Sequence, residues 1–257
     1  MEDKTLTAGK FSALAPGWSE REYRDHSDFM RRRALMVREW GAPLRRGDRV
    51  LELGCGDGTL SCFLASEGFD VTGVDISPGM IEEAKRRAER ESVPVRFEVA
   101  DSDRLEAFEP FDAVVSFMGA FFTYSEDPSE FLKRIAPHVR KKIILDWNFR
   151  SPHSFEDAAR SLEQARLHQI EWRPWFVPHT SSAATRPGVR GWLECRPALS
   201  LLLLILKHWH YTIHFKGETA AAADVEGEDR RSEAFEGNAL PGGLLQRTLI
   251  KLGQAMR

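Results

Sequence analysis

Residues 49–58 read R-V-L-E-L-G-C-G-D-G, and this stretch decides the fold of the chain. It begins with three apolar residues, Val50, Leu51 and Leu53, which predict a buried strand. Three glycines follow at alternate positions, 54, 56 and 58, and glycine lets the backbone turn sharply and lets a ligand approach closely. Apolar residues then recur at helical spacing, so the loop leads into a helix whose first N–H groups favour an electron-rich ligand. The stretch predicts a strand, a glycine loop and a helix that hold a nucleotide-like ligand.

An acid ends the next predicted strand. Val71 to Asp75 is a largely apolar run, and Asp75 lies about 20 residues past the first glycine. A doubly wound sheet places a carboxylate at this distance, where it binds both ribose hydroxyls of an adenosine. The glycine loop together with this acid is a far more specific signal than the glycines by themselves.

The glycine spacing separates the two cofactor classes that use this arrangement. Dinucleotide enzymes need G-x-G-x-x-G, whereas Thr59 takes the place of the third glycine here. With Glu52 before the first glycine, E-L-G-C-G-D-G resembles motif I of the class I S-adenosylmethionine-dependent methyltransferases. An acid near the loop suits a ligand that lacks phosphate and carries an amino group. The alternatives are an NAD(P)-dependent oxidoreductase and a non-catalytic cofactor-binding module that recruits a partner.

The resemblance covers about residues 45–150 and implies a cofactor site for S-adenosylmethionine. Glu52 and Asp57 would serve the methionine end, and Phe117 would bring backbone near it. Asp75 would bind the ribose, and Asp101 the adenine amino group. The remaining implied contacts are the loop and the adenine-packing residues, namely Gly54, Cys55, Gly56, Ile76, Met80 and Ser102.

The acceptor is less determined by the sequence. Methyl transfer is an in-line displacement that needs alignment, and a base is required only if an acceptor hydroxyl or amine must lose a proton. The candidate bases are His26, His153, His179 and Asp146. No D-P-P-Y or N-P-P-Y signature of base methylation is present, so we expect no nucleic-acid partner. Aromatic residues outside the motifs favour a small, fairly apolar acceptor with an O-, N- or C-nucleophile: Trp172, Trp175, Phe176, Trp192 and Trp209.

The strand pattern and the resemblance predict an α/β fold with a doubly wound, mostly parallel seven-stranded sheet. Residues 1–44 form a helical N-terminal cap, which we expect to be mobile up to residue 17 and helical over 18–40. Residues 45–216 form the cofactor-binding domain, with an acceptor-site insertion near 177–210. Residues 217–257 form an acidic linker and an amphipathic C-terminal helix, which docks on the domain, pairs with another subunit or rests on a membrane.

Composition narrows the class of protein. The chain has 257 residues, 42% of them hydrophobic, and a net charge of −3, which gives no general reason to expect nucleic-acid binding. Its three cysteines have no metal-ligand spacing and no paired framework, which suits a reducing compartment. No secretory signal is visible and no acid–histidine cluster predicts a metal, so we expect a cytoplasmic, metal-independent protein. The sequence leaves the acceptor, the attacking atom and the oligomeric state open.

Overall fold

The computed structural model of the chain describes residues 4–23, 25–105, 109–118, 120–148, 151–176 and 211–220. Within these ranges the strands form one sheet of seven: β1 Arg49–Leu53, β2 Asp70–Asp75, β3 Val95–Val99, β4 Phe111–Ser116, β5 Val139–Trp147, β6 His168–Phe176 and β7 Tyr211–Glu218. Their order is β3-β2-β1-β4-β5-β7-β6, and β1 to β5 pair in parallel. β7 is antiparallel to both β5 and β6. The predicted doubly wound, mostly parallel seven-stranded sheet is confirmed.

Helices flank the sheet and connect its parallel strands. The described helices are α1 Lys4–Leu14, α2 Trp18–Glu22, α3 His26–Glu39, α4 Thr59–Ser66, α5 Pro78–Glu91, α6 Ala120–Tyr124, α7 Pro128–Ile135 and α8 Phe155–Gln164. Short 3-10 turns span Ser102–Arg104 and Ala136–His138. Parallel neighbours require a crossover, so β1, β2, β3, β4 and β5 each lead into a helix or 3-10 turn at their carboxyl ends.

Alternation along the central strands divides the core into two layers. Successive side chains of a strand point to opposite faces, so Leu51 and Val114 pack into one apolar cluster, while Val50 and Val115 pack into the other. All six residues of β4 are buried, because helices cover both faces of this central strand.

Local capping signals fix where several helices begin. The Ser77 hydroxyl accepts a hydrogen bond from the Met80 N–H at 3.2 Å, and Pro78 follows as the first residue of α5. Ser154 and Asp157 form a reciprocal capping box at the start of α8.

The N-terminal segment differs from its prediction. The first seventeen residues were expected to be mobile, yet Lys4–Leu14 forms helix α1. The predicted single helix over 18–40 is two helices, because Tyr23 is extended and Asp25 takes a positive φ of 51° between them.

The last described strand also extends past its predicted end. β7 continues to Glu218, so residues 217 and 218 belong to the sheet and not to the acidic linker that begins at 217 in the sequence prediction. The proposed insertion near 177–210, including His179, Trp192 and Trp209, lies outside the described residues, as do residues 221–257. Across the described ranges, every helix is too short or too polar to cross a bilayer.

Candidate functional site

A cavity of about 380 Å³ opens at the carboxyl ends of β1, β2 and β4. This volume lies within the roughly 300–1,000 Å³ typical of small-molecule pockets. The glycine loop and strand ends form its floor, and helices α1, α2 and α3 cover it. In open α/β sheets, ligands bind at this edge, where the strand order reverses. Here the reversal lies between β1 and β4.

The glycine loop needs glycine for both conformation and space. Gly54 and Gly58 have φ values of +68° and +73°, a region that L side chains rarely adopt. A Cβ on Gly54 would lie 2.7 Å from the Cβ of Ala120, and one on Gly58 would lie 2.7 Å from that of Ala84. The loop therefore lies close against α6 on one side and α5 on the other.

Asp75 anchors the loop and faces the cavity. Its Oδ2 accepts a hydrogen bond from Gly56 N–H at 2.9 Å, and its Oδ1 accepts one from Ser77 N–H at 2.8 Å. Burial raises the pKa of Asp75, while these two hydrogen bonds oppose the increase. The carboxylate is thus fixed in orientation at the end of β2, on the wall of the cavity.

Glu52 is a buried acid at the end of β1. It is 4% exposed, and Ser61 of α4 donates a hydrogen bond to its Oε2. Burial raises the pKa of Glu52 to about 8, although the Ser61 hydrogen bond and the charge of Arg33 lower it. Near neutral pH, Glu52 therefore holds a proton in this structure.

Asp57 connects the loop to the helices that cover it. Its carboxylate accepts hydrogen bonds from the Ser19 N–H and hydroxyl, from the Thr59 hydroxyl and from Arg87 Nη2. Asp57 is 2% exposed, so its oxygens are occupied by protein donors. These contacts hold α2 against the loop, and direct contact of this carboxylate with a cofactor stays a prediction.

The other residues of the predicted cofactor site also gather on the cavity wall. Cys55, Ile76, Met80, Asp101, Ser102 and Phe117 all line the cavity. Lys4 of α1 donates to both oxygens of Asp101 at 2.9 Å and to Asp103 Oδ2 at 2.9 Å. The structure brings together every residue that the sequence assigns to cofactor binding, and their individual contacts with a cofactor stay predictions.

The candidate bases lie elsewhere. The His153 Nε2 is 3.1 Å from the Ser125 carbonyl oxygen, beside a second, smaller cavity. His26 lies at the start of α3 with its ring 3.7 Å from Glu20, and Asp146 is fully buried within β5. None of these three residues lines the larger cavity. The position of a residue at a strand end or in a loop does not determine which way its side chain points. The catalytic roles of His26, His153 and Asp146 stay predictions.

Sequence reasoning missed two groups of wall residues. Lys4 and Phe11 belong to the helix that was expected to be mobile. Arg33 lies in a charge-rich part of α3, yet it is 1% exposed and lines the cavity. Helical spacing could have indicated the burial of Arg33, because Phe29, Arg33 and Val37 recur every four residues on the buried face of α3.

Comparison with known proteins agrees with this geometry. The methyltransferase-domain family matches residues 50–142. A malonyl-acyl-carrier-protein O-methyltransferase of Anoxybacillus flavithermus is 36% identical over 170 residues, which cover 62% of this chain and 64% of that protein. Residues 50–142 therefore match a methyltransferase domain, and the comparisons support a class I S-adenosylmethionine-dependent methyltransferase. The predicted family and its cofactor, S-adenosylmethionine, are thereby confirmed.

Other relatives of this chain match over shorter lengths or by fold alone. A ubiquinone biosynthesis O-methyltransferase of Azorhizobium caulinodans is 34% identical over 119 residues, 44% of this chain and 46% of that protein. A structure of magnesium protoporphyrin IX methyltransferase from Synechocystis, with bound S-adenosylmethionine, has a TM-score of 0.60 and 20% identity and covers 86% of this chain and 98% of that chain. That likeness shows the fold. The matched region spans 61% and 64% of a Geobacillus relative and the Anoxybacillus protein.

The residues present fit S-adenosylmethionine. The loop at Gly54 and Gly56 has no side chain in the path of a ligand, and Asp75 presents a fixed carboxylate at the position of a ribose-binding acid. Glu52 supplies a second carboxyl group beside the loop, and its oxygens are hydrogen-bond acceptors for an ammonium group.

Proposed function

We propose that this protein transfers a methyl group from S-adenosylmethionine to a small-molecule acceptor. The observation that carries the proposal is the fixed carboxylate of Asp75, held by Gly56 and Ser77 at the wall of the cavity. S-adenosylmethionine supplies an activated methyl group whose transfer leaves a neutral thioether. The chain's own contribution is then to align the two reactants and to exclude water.

The far side of the cavity supports an apolar acceptor. Phe11 of α1 makes edge-to-face contacts with Trp18 and Tyr124, with ring centroids 5.6 Å and 6.3 Å apart. All three residues line the cavity, so α1, α2 and α6 contribute to one aromatic surface. The names of the Anoxybacillus and Azorhizobium relatives specify O-methylation, which favours attack by an acceptor oxygen in this chain too. The name of the Anoxybacillus relative also specifies an acceptor attached to an acyl carrier protein, so a protein-bound group is a second possible class of acceptor.

Calorimetric titration tests the cofactor site. We expect wild-type protein to bind S-adenosylmethionine and S-adenosylhomocysteine with micromolar affinity. Asp75→Ala removes the ribose acceptor and both loop hydrogen bonds, and we expect it to weaken binding by about tenfold or more, as loss of hydrogen bonds to a charged group does. Asp70→Ala is the matched control, since Asp70 is exposed at the other end of the same strand.

The second step measures whether the methyl group is consumed. One relative, from Talaromyces variabilis, is named an S-adenosylmethionine-dependent Diels-Alderase, so cofactor binding by itself does not establish transfer. Formation of S-adenosylhomocysteine with a panel of oxygen acceptors supports the proposal. Wild-type protein that binds NAD and not S-adenosylmethionine would refute it.

A further inference from the structure

Arg33 is a buried cation on the wall of the cofactor cavity. It lies on α3, and its side chain is 1% exposed. Its guanidinium carbon is 4.4 Å from the ring centroid of Phe29 and 4.7 Å from that of Phe117. Arginine is almost never buried without a paired charge, so its partners indicate its role.

The described hydrogen-bond partners of Arg33 are thioether sulfurs. Nη2 is 3.2 Å from Met118 Sδ, and Nη1 is 3.8 Å from Met30 Sδ. Nε has no hydrogen-bond partner among the residues that the structure describes. The charge of Asp146 acts on Arg33 through space, but within the described ranges no carboxylate forms an ion pair with it. Thioethers are weak acceptors, so the guanidinium keeps unused donor capacity.

The backbone beside Arg33 is strained. Met118 follows β4 and has a φ of +65°, which is uncommon for a residue other than glycine. Strain of this kind persists where the surrounding structure enforces it, and it concentrates at ligand sites. Here it accompanies the contact between the Met118 sulfur and the guanidinium of Arg33.

The contacts of Arg33 place it away from the ribose and adenine end of the cavity. It touches Phe117 and Met118 after β4, whereas Asp75 and Asp101 follow β2 and β3, on the other side of β1. The remaining cations on the described wall are less suited to bind an anion. Lys4 is paired with Asp101 and Asp103, and Lys10 is exposed to solvent.

We propose that Arg33 binds a carboxylate of the methyl acceptor, so that the acceptor is a small molecule with an apolar body and a carboxylate group. The guanidinium fork matches a carboxylate with two parallel N–H···O bonds, and burial strengthens that pairing. The inference rests on the proposed function, because it assigns the substrate class of the same site.

The methionine carboxylate of the cofactor offers the same chemistry, and the test separates the two sources. The variants are Arg33→Met, which removes the charge and keeps an unbranched side chain, and Arg33→Lys, which keeps the charge without the fork. Arg31→Met is the matched control, because Arg31 is exposed on the same helix. Each protein is titrated with S-adenosylhomocysteine and with 5′-methylthioadenosine, which lacks the methionine carboxylate.

Protein saturated with S-adenosylhomocysteine is then tested by ligand-observed NMR with isosteric pairs, benzoate against benzamide and hexanoate against hexanamide. We expect wild type and Arg31→Met to bind each carboxylate about tenfold or more tightly than its amide. Arg33→Met should lose this preference while its affinity for S-adenosylhomocysteine is unchanged, and Arg33→Lys should retain part of it.

Two results would overturn the assignment to the acceptor. One is a carboxylate preference that is absent in wild type or survives in Arg33→Met. The other is a tenfold loss of S-adenosylhomocysteine affinity in Arg33→Met with unchanged 5′-methylthioadenosine affinity, which would assign Arg33 to the cofactor. Wild-type protein that binds no S-adenosylhomocysteine would instead refute the proposed function itself.

Discussion

At the scale of single residues, the buried carboxyl group of Glu52 makes the stability of the folded protein depend on pH. Its pKa is raised to about 8 by burial, whereas the same group in the unfolded chain titrates near its ordinary value of 4.5. Between these two values the folded protein holds a proton that the unfolded chain has released. The contribution of Glu52 to the free energy of unfolding is therefore largest below about pH 4.5, and it decreases as the pH rises towards 8.

We expect Glu52→Gln to be more stable than wild type by an amount that grows between pH 5 and pH 8. Glutamine resembles the protonated acid and can still accept the Ser61 hydrogen bond. The difference in free energy of unfolding should rise by at most about 1.4 kcal/mol per pH unit, the value for one proton. Urea unfolding at several pH values measures it.

Glu82→Gln provides the control for this experiment, because Glu82 is exposed on α5. The difference in free energy of unfolding between Glu82→Gln and wild type should stay constant across the same pH range. A flat difference for Glu52→Gln as well would show that Glu52 is ionised in the folded protein.

At the scale of elements, α1 is held over the cavity by its contact with the start of α5. The Ser12 hydroxyl lies 2.9 Å from that of Ser77 and accepts a hydrogen bond from Gly79 N–H at 3.2 Å. A Cβ on Gly79 would lie 2.7 Å from the Ser12 Cα, which is backbone and cannot rotate away. The absence of a side chain at position 79 therefore allows α1 to cover the site.

We expect Gly79→Ala to displace α1 while leaving α5 intact, since alanine favours a helix more than glycine does. Amide hydrogen exchange over residues 4–14 should become faster by about tenfold or more, the change that a loss of about 1.4 kcal/mol in local stability would produce. Affinity for S-adenosylhomocysteine should fall with it.

Gly9→Ala is the matched control, because nothing lies within 4 Å of a Cβ at this position of α1. It should slow exchange slightly or leave it unchanged. Unchanged exchange in Gly79→Ala would mean that α1 accommodates the added methyl group and that this contact does not position the helix.

At the scale of the whole molecule, a buried charge cluster joins the segment that follows α3 to the neighbouring strands β5 and β7. Glu218 of β7 accepts hydrogen bonds from Ala42 N–H at 3.1 Å and from Lys216 Nζ at 2.8 Å. Lys142 of β5 donates to the Trp40 carbonyl oxygen at 2.8 Å. Burial lowers the pKa of Lys142 to about 7, and the charge of Glu218 opposes that decrease. One carboxylate thus compensates buried cations on two neighbouring strands.

We expect Glu218→Leu to lower the free energy of unfolding by about 3 kcal/mol, because it leaves buried ammonium groups with less compensation. The value lies at the lower end for buried pairs, since Lys216 keeps Glu171 at 3.2 Å. The double variant Lys216→Met/Glu218→Leu removes one orphaned charge and should recover part of the loss. Chemical denaturation of the single and double variants measures both effects.

Asp70→Ala is the control for this cluster, because Asp70 and Arg96 form an ion pair whose side chains are about half exposed. Asp70→Ala should lower the free energy of unfolding by no more than about 1 kcal/mol. A double variant as unstable as Glu218→Leu, or less stable, would show that the unpaired lysine is not the source of the destabilisation.

The sequence by itself determined the family, the cofactor and the central fold of this protein. Gly54, Gly58 and Asp75 act through local properties, namely backbone freedom, space for a ligand and position at a strand end, and these can be deduced from spacing along the chain. Only the tertiary structure decided that α1 covers the cavity, that Arg33 faces it and that His153 does not. The reason is physical: the direction of a side chain, and the distant segment that it meets, depend on how whole helices pack against the sheet.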